Sequence, residues 1–156
     1  MVIIGVLSRL LPHVPNFTPI AATALFGGVY LPKKYAFIIP LLAMLISDYF
    51  IGFHTTMPYV YASFILTGAI GLWVRSHKNP GTILGGTLAS SLLFFFITNA
   101  GVWLQGYQPT LIDSLVAGIP FFRNTVMGDL FYVGAFFGSY ELVKKIQFDI
   151  LKQPVS

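Results

Sequence analysis

Charge is the scarcest thing in this chain. Only 9% of its 156 residues are Asp, Glu, Lys or Arg, against about a quarter in an ordinary soluble domain. So little charge cannot cover the surface of a water-soluble protein of this size. Cysteine is absent, which excludes disulfides, thiolate metal sites and cysteine nucleophiles. Catalytic signatures are missing as well: no GxxxxGK(S/T) phosphate loop, no HExxH and no GxSxG. The expectation is a non-enzymatic protein without a resident cofactor. His13 and His54 lack any paired spacing, so no metal site is expected. A secretory leader is not expected either, because no basic region precedes the apolar start, and Arg9, Pro12 and His13 follow it.

What the chain has in quantity is long apolar runs, at 35–53, 57–74, 82–104 and 122–143, with shorter ones at 2–11 and 18–31. A helix needs about 20 residues to cross ~30 Å of hydrocarbon, and the four longer runs approach or exceed that. The fold class this predicts is all-α: a polytopic six-helix membrane bundle. It has one transmembrane domain over 1–146 and a cytoplasmic tail over 147–156. Pro12, Pro15 and Pro19 block a continuous helix near the start, so 2–31 forms either two short spans or a broken re-entrant hairpin.

The charges fall in the gaps. Lys33 and Lys34, Arg75 and Lys78, and Lys144 and Lys145 cluster between or after the runs. Placing them on the cytoplasmic side lets six crossings alternate and leaves both termini cytoplasmic. Trp73 and Tyr35 then mark the inner interface, and Tyr59, Trp103 and Tyr107 the outer one. Basic residues in such short clusters do not make a nucleic-acid surface. The one long connection, 104–120, mixes polar Gln105, Gln108 and Asp113 with apolar Leu111, Ile112, Leu115 and Val116. It predicts a short amphipathic helix on the outer face, either a plain surface loop or a lid over a site.

With that topology, polar residues gather in one outward layer: Arg9, His13, Asn16, Asp48, His54, Asn99, Arg123, Asn124 and Asp129. Trp103 shares a helical face with Asn99, as Thr125 does with Asp129. A charge in hydrocarbon costs at least ~2.5 kcal/mol, so Asp48 and Asp129 must face the interior or water. Carboxylates, amides, imidazoles and aromatic walls together suit a small-molecule pocket. The structural alternative pairs Asp48 with Arg9 or Arg123 and leaves Asn99 and Asn124 to crosslink helices. A second pattern is small residues at fourfold spacing: Gly81, Gly85 and Ala89; Gly134 and Gly138; Ala24 and Gly28. These pack helices within the bundle or dock another membrane subunit.

Three blocks carry a family resemblance: Arg9-Leu-Leu-Pro-His13-Val-Pro-Asn16-Phe-Thr-Pro19 running on to Gly28, Ser47-Asp48-Tyr-Phe-Ile-Gly52-Phe-His54, and Pro120-Phe-Phe-Arg123-Asn124-Thr125-Val-Met-Gly128-Asp129. They resemble an uncharacterised bacterial family of transport-type membrane proteins. More distantly, the chain is similar to the substrate-binding S components of energy-coupling factor (ECF) vitamin transporters. That resemblance implies six helices in a bacterial inner membrane, with a vitamin-sized pocket near the outer face. It also implies a separate transmembrane coupling subunit and two ATPases. Small residues docking the coupling subunit would be Ala21, Ala24 and Gly28, with Gly85 and Gly138 as further candidates. The expected function is capture of a vitamin-like molecule by His13, Asn16, Asp48, His54, Asn99, Trp103, Arg123, Asn124 and Asp129. The alternatives are a proton- or cation-coupled secondary transporter or channel using Asp48 and Asp129, and a non-transporting scaffold.

Overall fold

A short helix with almost no amphipathic character organises the rest. In the computed structural model, which describes residues 1–151, it is α2 (Ile20–Tyr30), and every residue from Ile20 to Val29 is buried. A helix that is apolar all round belongs inside a bundle. Around it stand α1 (Val2–Leu10), α3 (Tyr35–Ile51), α4 (Met57–Ser76), α5 (Pro80–Leu104) and α6 (Leu111–Leu151). The expected all-α class with six helices holds, and no strand occurs among the described residues.

The α2–α4 crossing is backbone against backbone. A Cβ on Gly28 would sit 2.6 Å from the Gly71 carbonyl carbon, and one on Gly71 would sit 2.6 Å from the Leu25 oxygen. Only hydrogen fits at either position, so these two glycines set how near the helices come. Arg75 on α4 then closes the end of α2, donating to the carbonyls of Val29 and Leu31 that the helix leaves unpaired.

The helices alternate in direction. Thr55 and Tyr107 join two connections at one end through a 2.8 Å hydrogen bond. At the other end Glu141 accepts from Tyr30 at 2.6 Å and from Lys78 at 2.7 Å. Lys78 lies in the α4–α5 connection, with its ammonium 4.2 Å from the centre of the Tyr30 ring. Partial burial works against its charge, but the hydrogen bonds to Glu141 and Tyr30 outweigh that and raise its pKa above the usual lysine value.

Large apolar side chains point outward on most helices, among them Leu45, Phe50, Leu84, Phe96 and Phe131. The interior holds hydroxyls instead: Ser63, Thr67, Thr87, Ser90, Ser91 and Thr125 are buried. All but Ser91, whose proton goes to Asp129, donate to the carbonyl four residues earlier on their own helix, so none needs water to be satisfied. Two helices, α4 and α5, are long and apolar enough to cross a membrane.

α1 packs chiefly along α3 and also meets α2 at Ile20, and α2 sits inside. One expectation changes. The amphipathic helix expected over 104–120 is not a separate element. It is the start of α6, a single helix of 41 residues that runs through Pro120. Thr110 starts it by accepting from the Asp113 N–H at 3.1 Å and donating to the Asp113 carboxylate at 2.7 Å. α6 runs antiparallel to α5, pairing Ser114 with Asn99, Phe122 with Phe95 and Asp129 with Ser91. The helix runs on through Leu151, so the start of the expected tail from 147 is helical; its remainder lies outside the described residues.

Candidate functional site

The expected single polar layer resolves into separate groups. The first ties α1, α3 and α4 together. Asp48 is fully buried, 0% exposed, and its Oδ1 lies 2.6 Å from Arg9 Nη2. Tyr61 donates to its other oxygen at 2.8 Å. Arg9 also donates to Ser47 Oγ and to the Met44 carbonyl. Oδ2 is hydrogen-bonded by Tyr61, while the buried Oδ1 accepts no hydrogen bond and is held by the charge of the guanidinium alone. This is a closed ion pair, and Arg9 rather than Arg123 makes it.

The second group surrounds Asp129, 3% exposed. Ser91 on α5 donates to Oδ2 at 2.7 Å and is the carboxylate's one hydrogen-bond partner among the described residues. No basic side chain among the described residues pairs with it. Asp129 lines a cavity of about 40 Å3 with Asn16, Thr18, Ala21, Phe64, Phe94 and Thr125. One water needs roughly 10–15 Å3 by this measure, so the space holds a few waters or one small cationic group, not a ring system.

The third group is a groove between the end of α5 and the start of α6, about 280 Å3 in volume. Asn16, Thr98, Asn99, Gln108, Ser114 and Gly118 line it. Ser114 donates to the Asn99 carbonyl at 2.7 Å, and the Asn99 amide donates to Phe95 O at 2.8 Å. Gly118 makes room for that amide, since a Cβ there would lie 2.4 Å from Asn99 Oδ1.

Asn16 belongs to both spaces. It stands in the α1–α2 connection with φ at 64°, a left-handed conformation that Asn tolerates better than most residues. Next to it, Phe17 packs on Phe131 and Tyr132 at ring distances of 5.8 and 5.5 Å. Gly128, one residue before Asp129, leaves space for the Phe17 backbone, which a Cβ would approach to 3.1 Å. The connection is thus clamped onto α6 beside the carboxylate, and this places Asn16 and Thr18 over the cavity.

Of the residues expected to form one pocket, Asn16, Asn99 and Asp129 line these adjoining spaces. Asp48 does not, because Arg9 and Tyr61 enclose it. His13 and His54 are exposed and bond locally, to the Leu11 carbonyl and to Thr56. Arg123 is exposed and forms no ion pair among the described residues; Asn124 and Trp103 line neither space. Ser91, Thr18, Phe64, Phe94 and Ser114 were not singled out in the sequence, because a hydroxyl or ring inside an apolar run looks like packing. Among the described residues, no cluster of three or more His, Cys, Asp or Glu is present that could hold a metal.

The docking stripe is corrected in part. Ala21, Ala24 and Gly28 are buried within the bundle, spent on packing α2 against its neighbours, so they offer no face to another subunit. A Cβ on Gly85 or Gly138 would meet nothing within 4 Å, so these two do face outward.

The chain belongs to the family of unknown function DUF6580, which matches residues 1–151. No curated protein and no solved structure matches it.

Proposed function

We propose that this is a multi-pass protein of a bacterial cytoplasmic membrane that captures a small solute from the outer side, as the substrate-binding subunit of a micronutrient importer. The observation that carries the reading is Asp129: a buried carboxylate with one neutral hydrogen bond, lining a cavity that shares Asn16 with a polar groove. An uncompensated carboxylate in an apolar bundle costs several kcal/mol. As a packing element, an amide or a methyl would serve better. The outward-facing Leu, Ile and Phe side chains support a lipid surround. The polar groups concentrate at the end opposite Lys78, which the positive-inside bias assigns to the outside. The solute seats one polar end against Asp129 and the remainder in the groove of Asn99 and Ser114. Energy for import comes from a coupling subunit and ATPases on other chains.

The test is native mass spectrometry of the gently extracted protein, followed by thermal shift across a panel of vitamins and their precursors. A co-purified molecule, or one that stabilises the fold, is the expected result. A folded protein that carries nothing and responds to nothing in the panel contradicts capture. A second reading, a proton- or cation-coupled secondary transporter, draws on the absence of a basic partner at Asp129. It predicts gradient-driven uptake into vesicles containing this chain alone, abolished by Asp129→Asn.

A further inference from the structure

We infer that the Asp129 cavity binds a nitrogen-based monovalent cation, the protonated amine end of the captured solute, held between the Asp129 carboxylate, the hydroxyls of Thr18 and Thr125, and the rings of Phe64 and Phe94. The inference rests on the capture reading above and names the chemical class of what is captured.

Charge comes first. The cavity wall carries one carboxylate and no basic group. The partly buried Arg9 is committed to Asp48, and Arg123 is exposed. An anion is repelled there, and a neutral solute leaves the carboxylate uncompensated. Size comes second: about 40 Å3 admits an ammonium group but not a ring. The wall decides among cations. Thr125 spends its proton on the Phe121 carbonyl at 2.9 Å, so toward the cavity its oxygen can only accept. Ser91 bonds one oxygen of this cavity-lining carboxylate, and no hydrogen bond among the described residues occupies the other. A primary ammonium has three N–H donors for these acceptors. The Asn16 amide lines one more part, and the rest is Ala21 and the two phenyl rings, whose centres stand 5.4 Å apart. Alkali and alkaline-earth ions want oxygen on every side, and magnesium an octahedron of it. Aromatic walls supply none, but they do attract organic cations through the ring quadrupole.

The experiment uses the whole chain purified in detergent, with thermal unfolding followed at constant ionic strength. Ammonium or methylammonium chloride replaces sodium, potassium or tetramethylammonium chloride. Ammonium and methylammonium raise the melting temperature; sodium, potassium and the oversized tetramethylammonium do not. Losing the charged acceptor in Asp129→Asn weakens half-saturation by about tenfold or more. Thr125→Val weakens it by a smaller factor and serves if the first variant does not fold. His54→Ala, outside the cavity, keeps the response. A rise with sodium equal to that with methylammonium, no rise with any cation, or a response surviving in Asp129→Asn and Thr125→Val overturns the inference. The two readings fail separately. A neutral or anionic panel solute bound equally well by Asp129→Asn leaves capture standing and removes the amine. Methylammonium binding with no panel solute does the reverse.

Discussion

Two carboxylates are buried in this bundle to nearly the same depth, Asp48 at 0% and Asp129 at 3% exposure, and the protein treats them in opposite ways. Asp48 is given a guanidinium at 2.6 Å and a phenol at 2.8 Å. Those partners come from α1 and α4, so the carboxylate holds three helices together. Asp129 is given one serine and an open space. Burying a charge is tolerable when it is paired and hydrogen-bonded, and costly when it is not. The first arrangement therefore belongs to the architecture. The second keeps a charge available, and that is what a binding site requires.

The contrast breaks most sharply at Arg9. Arg9→Met leaves Asp48 buried without a counter-ion and is expected to lower unfolding stability by about 3–5 kcal/mol. Adding Asp48→Leu to it should recover most of the loss, measured by denaturant titration of single and double variants. A smaller effect is expected at Tyr61→Phe, which removes a hydrogen bond to the charged Asp48 and should cost about 1.5–3 kcal/mol in the same titration. On the other side of the comparison, Ser91→Ala should cost only about 1 kcal/mol, because water in the adjoining cavity can replace the lost donor. The smallest change is expected at Asp129→Asn. The amide keeps the shape and removes an uncompensated charge, so stability should stay within about 0.5 kcal/mol of the parent or rise. A loss at Asp129→Asn as large as that at Arg9→Met would place both carboxylates in the scaffold.

The sequence revealed that these two residues needed explanation, because a carboxylate inside an apolar run has to find a partner. It left Arg9 and Arg123 as equal candidates for Asp48. Nothing local distinguishes them, and the choice follows from α1 packing on α3. Asp129's partner Ser91 was hidden differently: it adjoined a stripe of small residues, where a serine looks like a spacer. Helix positions over 57–74 and 82–104 were legible from apolar length. The unbroken α6 was not, since Gly118 and Pro120 together imitate a stop. That helix runs through both: Gly118 accommodates the Asn99 amide, and Pro120 sits inside the helix at the loss of one backbone hydrogen bond. Small residues posed a similar ambiguity. Gly28 and Gly138 carry the same kind of spacing signal, yet one is pressed against Gly71 and the other has nothing near it. Spacing marks a face on which close approach is permitted. Which faces are filled depends on the whole bundle.

Because the chain contains no cysteine, a single introduced thiol reports its own surroundings without background. Asn16→Cys, at an exposed position that lines both the cavity and the groove, should react with a membrane-impermeant maleimide added to intact cells. Asn79→Cys, in the exposed connection at the Lys78 end, should react only after the cells are opened. Labelling of Asn79→Cys from outside, with Asn16→Cys protected until lysis, would turn the carboxylate's mouth toward the cell interior and contradict capture of an external solute.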